Sequence, residues 1–305
     1  MLVVEPTPER ETSGEIARAL TTRRLRVGDL IFKLALQISL LIGFAFLVAL
    51  ISYAVYHGWS RLDARLWMNM PSGVRSRADI SGVQSALMGT LWVITLTALI
   101  CLPTGIMSAL YLEEYADNNR WYNRLLELNI QNLAGVPSIV FGILGLGIIA
   151  RTFGLGFGVI TGAIVLSLLV LPVVIIASRE ALRAVPGSIR EGSYALGATK
   201  WQTTWRQVLP AAAPGMATGS ILALSRAIGE AAPLILLGAV SFIRFNPDGI
   251  DAQYTTLPIQ IFNLIKSPHA EFQEIGWAAI VLLLGILLLM NSIAIIIRNK
   301  FTKRW

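Results

Sequence analysis

Arg226 and Glu230 are two ionisable residues one helical turn apart within an otherwise apolar stretch, residues 214–240. Arg226 lies about eleven residues into that stretch, which at about 1.5 Å per residue predicts a position near the middle of a bilayer. An arginine at that depth costs about 2.5–3.5 kcal/mol on insertion scales, so it must face the interior of a bundle or a water-filled cavity. The spacing of four puts Glu230 on the same face. Two chemistries fit the pair. It can be a structural ion bridge, although desolvation cancels most of the attraction of a buried pair. Alternatively, the planar guanidinium can fork onto two oxygens of a tetrahedral oxyanion, which makes the pair part of a substrate pathway. Its position favours the pathway.

Other chemistries lack the residues they need. Cys101 is the only cysteine and sits in an apolar run, so no internal disulfide or cysteine-built metal site is expected. His57 and His269 are the only histidines and are far apart, which argues against a metal centre. No G-x-x-x-x-G-K-[ST] occurs, so the chain is not expected to cradle and hydrolyse ATP itself, and no cofactor of its own is expected. Gly154-Leu155-Gly156-Phe157-Gly158 resembles a nucleotide loop only superficially, because it joins two apolar stretches. A membrane-embedded enzyme would need a nucleophile and base, or paired carboxylates, at depth, where Arg226 and Glu230 are the only charges. No catalytic residue is predicted.

The elements that must position the pair follow from composition. Of 305 residues, 55% are hydrophobic and 14% charged, with a mean hydropathy of +0.65. That exceeds what a soluble core needs and predicts an all-α polytopic membrane protein. It excludes a disordered chain, a disulfide-stapled secreted domain and an ordinary cytosolic enzyme. The net charge of +7 lies beside the apolar runs, which points to membrane lipid and away from nucleic acid. A window of about 19 residues finds six stretches long enough to span the bilayer. They are residues 34–56, 86–110, 130–150, 157–178, 214–240 and 276–297. Residues 1–33 read as a cytoplasmic tail rather than a cleavable signal, 34–297 as the six-helix domain, and 298–305 as a cytoplasmic C-terminal tail. Within the domain, 179–213 read as a cytoplasmic loop with short helices. Residues 241–275 read as an outer loop, partly re-entrant or surface-lying.

Seventeen Lys and Arg residues fall on the side of the N-terminus and seven on the other, which predicts both termini inside. Pro103, Pro137, Pro172 and Pro233 interrupt spans, and Gly154/Gly158/Gly162 and Gly215/Gly219 have the spacing that permits close helix approach. In the cytoplasmic loop, the pattern predicts a helix up to Leu196, a break at Gly197, and a short helix with Trp201 and Trp205 on one face, ended by Pro210. The indole pair either meets a partner surface or belongs to an interfacial aromatic belt.

This loop resembles the EAA loop of ABC importer permeases: Glu191, Gly197, Leu209 and Pro210 fall in register with its pattern. Gly192 and Ser193 stand for the two alanines, and Gln207 stands where an aliphatic residue is usual. Ser225-Arg226-Ala227-Ile228-Gly229-Glu230-Ala231-Ala232-Pro233-Leu234 resembles the signature of phosphate-specific (Pst-type) importer permeases. Tyr254-Thr255-Thr256-Leu257-Pro258-Ile259-Gln260-Ile261-Phe262-Asn263 resembles the external loop of their A-type subunits. The resemblance implies a type I ABC importer permease (MetI-like) bundle in a bacterial inner membrane. It implies a second homologous permease subunit, a dimeric ATPase subunit that binds ATP and Mg, and a periplasmic phosphate-binding protein. By resemblance, Glu191, Gly192, Ser193, Gly197, Ala198, Thr199 and Lys200 form the coupling helix that docks on the ATPase. A permease for sulfate, molybdate or phosphonate shares these features.

Overall fold

Among the described residues of the computed structural model, five helices are long and apolar enough to cross a membrane: Gly28–Arg61, Gln84–Tyr115, Val159–Arg183, Lys200–Gly229 and Ala270–Lys300. A sixth span is obtained only by joining Trp121–Ala134 to Ser138–Thr152, which meet at 108°. The structure describes residues 27–117, 119–237, 239 and 242–301. Most of the predicted N-terminal tail and residues 302–305 of the C-terminal tail lie outside them. The chain divides into two units, Met1–Tyr53 and Ala54–Trp305. The described part of the first is one apolar helix, α1 (Val27–Gly58), whose last residues belong to the second.

The second unit opens with α2 (Ala64–Met68), capped where Asp63 Oδ1 accepts from Arg65 N at 3.0 Å. Then come α3 (Gln84–Leu110), α4 (Trp121–Ala134), α5 (Ser138–Leu144) and α6 (Val159–Arg183). The loop helices α7 (Gly187–Ala195) and α8 (Lys200–Thr203) follow, then α9 (Leu209–Gly229) and α10 (Ala232–Leu236). The chain closes with α11 (Leu257–Ile265) and α12 (Ala270–Phe301).

Helix α6 is the centre of the unit, and its apolar window is 67% buried. Val165, Leu166, Leu169, Val170 and Val174 pack there with Val93 and Cys101 of α3 and with Ala223 and Ala227 of α9. Small residues let the helices close. A Cβ on Gly215 would meet Ala181 Cβ at 2.7 Å, and one on Gly219 would run into Ala177 Cβ, so Gly215 and Gly219 are the predicted close approach of α9 to α6. Side-chain hydroxyls add cross-links: Ser167 donates to Ala163 O at 2.7 Å within α6 and lies 3.3 Å from Thr97 O of α3.

The other glycine series serves a different purpose. Gly154 and Gly156 adopt φ of 71° and 66° in the turn before α6, a conformation open to glycine. Gly158 and Gly162 seat the segment that precedes α11, not another helix. A Cβ on Gly158 would meet the Asp251 backbone at 2.7 Å, and one on Gly162 would strike the Tyr254 hydroxyl. Gly89 of α3 likewise abuts the Thr255 carbonyl. The loop before α11 therefore enters the bundle, with Tyr254, Thr255, Thr256, Leu257, Ile259 and Gln260 all buried.

Three expectations change. The stretch 130–150 is broken at Gly135-Val136-Pro137, because proline disfavours a helical residue before it and lacks the donor a continuing helix requires. The stretch 214–240 is not one helix either: α9 stops at Gly229 and Glu230 turns to φ −79°, ψ 118°. Arg226 therefore lies in the last turn of a helix and not midway along one. Pro210 does not end the preceding helix. It lies inside the continuous helix Lys200–Gly229, directly after the π-helical turn Thr204–Val208 that joins α8 to α9.

Candidate functional site

The loop between α6 and α9 is built from two short helices set by local chemistry. Helix α7 ends at Ala195, and Gly197 takes φ 78°, where a side chain would be strained. Helix α8 starts with a capping box: Gln202 N donates to Thr199 Oγ1 at 3.3 Å, and Thr199 N donates to Gln202 Oε1 at 2.9 Å. Trp201 and Trp205 stack at 5.4 Å between ring centroids with 14° between planes. Lys200 Nζ lies 5.1 Å from the Tyr115 ring centroid.

Glu191, Gly192, Gly197, Thr199 and Lys200 are exposed, Ser193 and Ala198 half-buried. Leu196 is 91% exposed, unusual for a leucine at the apex of a polar loop. The two helices border an open groove of about 540 Å³ whose walls include Gly192, Ser193, Leu196, Gly197, Gln202 and Arg206.

An ion-pair network that sequence reasoning missed holds this loop to the bundle. Glu113 and Glu114 sit on a π-helical turn, Tyr111–Tyr115, at the end of α3. Arg179 of α6, 8% exposed, bonds Glu127 of α4 at 2.8 Å and Glu113 at 3.3 Å. Arg183 bonds Glu113 at 2.9 Å. Arg190 of α7 reaches Glu114 Oε1 at 2.7 Å and donates to the Val185 carbonyl at 2.9 Å and the Leu182 carbonyl at 3.0 Å. The Glu113-Glu114 doublet at the edge of an apolar run was the available signal. The exposed Glu191 stands next to the anchored Arg190, so one residue fixes the helix while the other faces outward.

The second candidate site is the break between α9 and α10. Arg226 Nε lies 3.5 Å from Glu230 Oε1; the arginine side chain is 49% exposed and the glutamate 19%. The structure thus brings the predicted pair together, with Glu230 the more enclosed. A cation in the last turn of α9 also meets the negative end of the helix dipole, so Arg226 stays favourable there with or without a ligand. Ser225 donates to Asn291 Oδ1 at 2.6 Å, joining α9 to α12 directly beside Arg226. Glu230 also lines a small void together with Thr90 and Thr256.

Among the described residues, five apolar helices of membrane-crossing length with two short helices between α6 and α9 define a polytopic membrane protein. Residues 101–304 match the family described as binding-protein-dependent transport system inner membrane component, and the chain belongs to that family. Within it, the chain is 34% identical to phosphate transport system permease protein PstA 1 of Mycobacterium tuberculosis (strain ATCC 25618 / H37Rv), over 95% of this chain and 93% of the relative. It is 34% identical to PstA of Mycobacterium leprae (strain TN), over 91% of each, and 31% identical to PstA of Yersinia pestis, over 86% and 87%.

Among solved structures, a bacterial alginate ABC transporter bound to an alginate-loaded periplasmic protein superposes with a TM-score of 0.61 at 16% identity, covering 90% of this chain and 98% of that one. The inward-facing MetNI methionine ABC transporter gives 0.56 at 20% identity, covering 73% and 95%. These two show the fold.

Proposed function

We propose that the chain is the A-type permease subunit of an ATP-driven importer of inorganic phosphate and forms half of its translocation pathway. The observation that carries the reading is the similarity, over nearly the whole chain, to permeases named for phosphate transport. The Arg226–Glu230 pair at a helix break gives that cargo a chemical handle. A guanidinium can fork onto two phosphate oxygens, and a carboxylate can accept from a protonated one. Sulfate carries no such proton at neutral pH.

The partners follow from the same reading. A second homologous permease completes the pathway, a periplasmic phosphate-binding protein delivers the anion, and a dimeric ATPase binds ATP and Mg. The α7–α8 loop docks on that ATPase through Glu191, Gly192, Ser193, Gly197, Ala198, Thr199 and Lys200, with Leu196 as an apolar knob. Closure of the ATPase pulls α7, and the Arg190–Glu114 and Arg179–Glu113 pairs carry the displacement into α3, α4 and α6. The subunit sits in a bacterial inner membrane with both termini in the cytoplasm.

The test is uptake of radiolabelled phosphate by cells lacking this chain and re-supplied with the unaltered protein or with Arg226→Gln at matched membrane levels. Uptake restored by the first and lost with the second is the expected result. Restoration by both reduces Arg226 to a structural role. Restoration by neither assigns the permease to another oxyanion. Glu230→Gln is expected to lower the preference for phosphate over sulfate in the same assay.

A further inference from the structure

Four side chains near the start of α11 carry buried polar atoms with no hydrogen-bond partner among the described residues: Tyr254 Oη, Thr255 Oγ1, Thr256 Oγ1 and Gln260 Oε1. Their residues are only 1–3% exposed. A buried polar atom without a partner is destabilising and uncommon in native proteins, so four within one short segment need a reason.

Thr256 shows what the reason is. It is the N-cap residue of α11 yet makes no side-chain cap bond. With Thr90 of α3 and Glu230, it contributes the polar residues lining a small void of about 10 Å³, otherwise lined by apolar side chains such as Val93 and Leu166. That volume is about one water. Thr90 is committed: its hydroxyl donates to Ala86 O at 2.8 Å and accepts from Leu257 N at 2.8 Å. Thr256 is not, so an uncommitted hydroxyl and a carboxylate line the same small void, whereas Leu257 N is taken by Thr90 and Pro258 has no N–H to offer.

The void also straddles the break between α9 and α10. Ala227, Ile228 and Glu230 wall it on one side of the break, and Leu234 walls it on the other. Any rotation at Glu230-Ala231 changes its size. Arg226 Nε, 3.5 Å from Glu230 Oε1, stands beside it.

We propose that this void is the collapsed state of an oxyanion subsite in the translocation pathway, and that Thr256 is a specificity residue whose hydroxyl donates to the passing anion. This inference rests on the oxyanion-importer reading above. When the break opens, an anion entering beside Arg226 meets the Thr256 hydroxyl as a donor, and Glu230 accepts from its protonated oxygen. Neutral donors suit a transit site, which must bind weakly enough to release.

The test compares Thr256→Val with Thr256→Ser in cells lacking the native chain, reading membrane level and the maximal rate of radiolabelled phosphate uptake. Valine keeps the shape and removes a hydroxyl that bonds nothing among the described residues, so the variant should accumulate as well as the unaltered chain. Its maximal uptake rate should fall by about tenfold, the equivalent of one lost hydrogen bond to a charged group, while serine should retain at least half. Unchanged uptake with valine, equal loss with serine, or failure of the valine variant to accumulate each overturns the proposal, the last because the hydroxyl would then be structural. If the unaltered chain carries sulfate or molybdate instead of phosphate, the cargo reading fails, and the same valine and serine comparison on that anion decides the subsite. No oxyanion uptake by the unaltered chain overturns both.

Discussion

Arg190 and Arg183 show how differently two ion pairs on one surface contribute. Arg190 is held by a carboxylate that is itself 6% exposed and by two backbone carbonyls, so removing Glu114 leaves a guanidinium half-enclosed and short of an acceptor. Glu114→Ala is expected to cost about 1.5–3 kcal/mol, the range for hydrogen bonds to charged groups, read as a fall in the thermal midpoint of the detergent-solubilised protein. Arg190→Lys should not substitute, because a point charge cannot reach Glu114 and two carbonyls in a fixed fork. Arg183 is 47% exposed, and Arg183→Ala should cost no more than about 1 kcal/mol by the same measurement. The sequence marked these residues only as basic charges flanking a span. Their partners lie 76 and 70 positions away, a pairing that only the fold brings together.

At the scale of elements, glycine positions divide by what a side chain would meet. Gly219 touches Ala177 across the α6–α9 contact, whereas Gly147 has nothing within 4 Å of a Cβ. Gly219→Val is expected to force α9 away from α6 and destabilise the bundle by about 1–3 kcal/mol, while Gly147→Ala stays within about 0.5 kcal/mol; unfolding in mixed detergent micelles measures both. Gly197→Ala places a Cβ at φ 78°. It should cost about 1–2 kcal/mol locally and, on the coupling reading, lower phosphate uptake while membrane levels hold. The gap after Ala195 was legible because glycine stops helices. The π-helical turns Tyr111–Tyr115, Gly145–Thr152 and Thr204–Val208 were not, since a π turn differs from an α turn by one residue of register and leaves no mark in hydropathy.

For the whole molecule, the charge asymmetry sets a testable topology. In a Cys101→Ala background, Leu196→Cys and Gly249→Cys place single thiols at an exposed loop apex and at a position with nothing within 4 Å. An impermeant thiol reagent should label Gly249→Cys in intact spheroplasts and Leu196→Cys only in inside-out vesicles. Labelling of both from the same side would overturn the assignment of the two loops to opposite faces. The helix break at Glu230 and the burial of Tyr254 to Leu257, Ile259 and Gln260 bring α3, α6, α9 and the segment before α11 together at one place.

Composition and local pattern alone determined the polytopic membrane class, the run of apolar helices, the short helices of the 179–213 loop and the placing of Arg226 and Glu230 on one helix face. These rest on averages over many side chains, or on the cost of a charge in an apolar stretch, and both can be read along the chain. Tertiary structure alone decided that α9 stops at Gly229, that Gly158 and Gly162 seat a loop, and that Thr256 lines the same small void as Glu230. Thr255, Thr256 and Gln260 stand in sequence within a motif resembling an external loop, in a segment read as partly re-entrant or surface-lying, with no separate role for any of them. Burial gives them meaning, and burial depends on α3, α6 and α9 converging from distant parts of the chain.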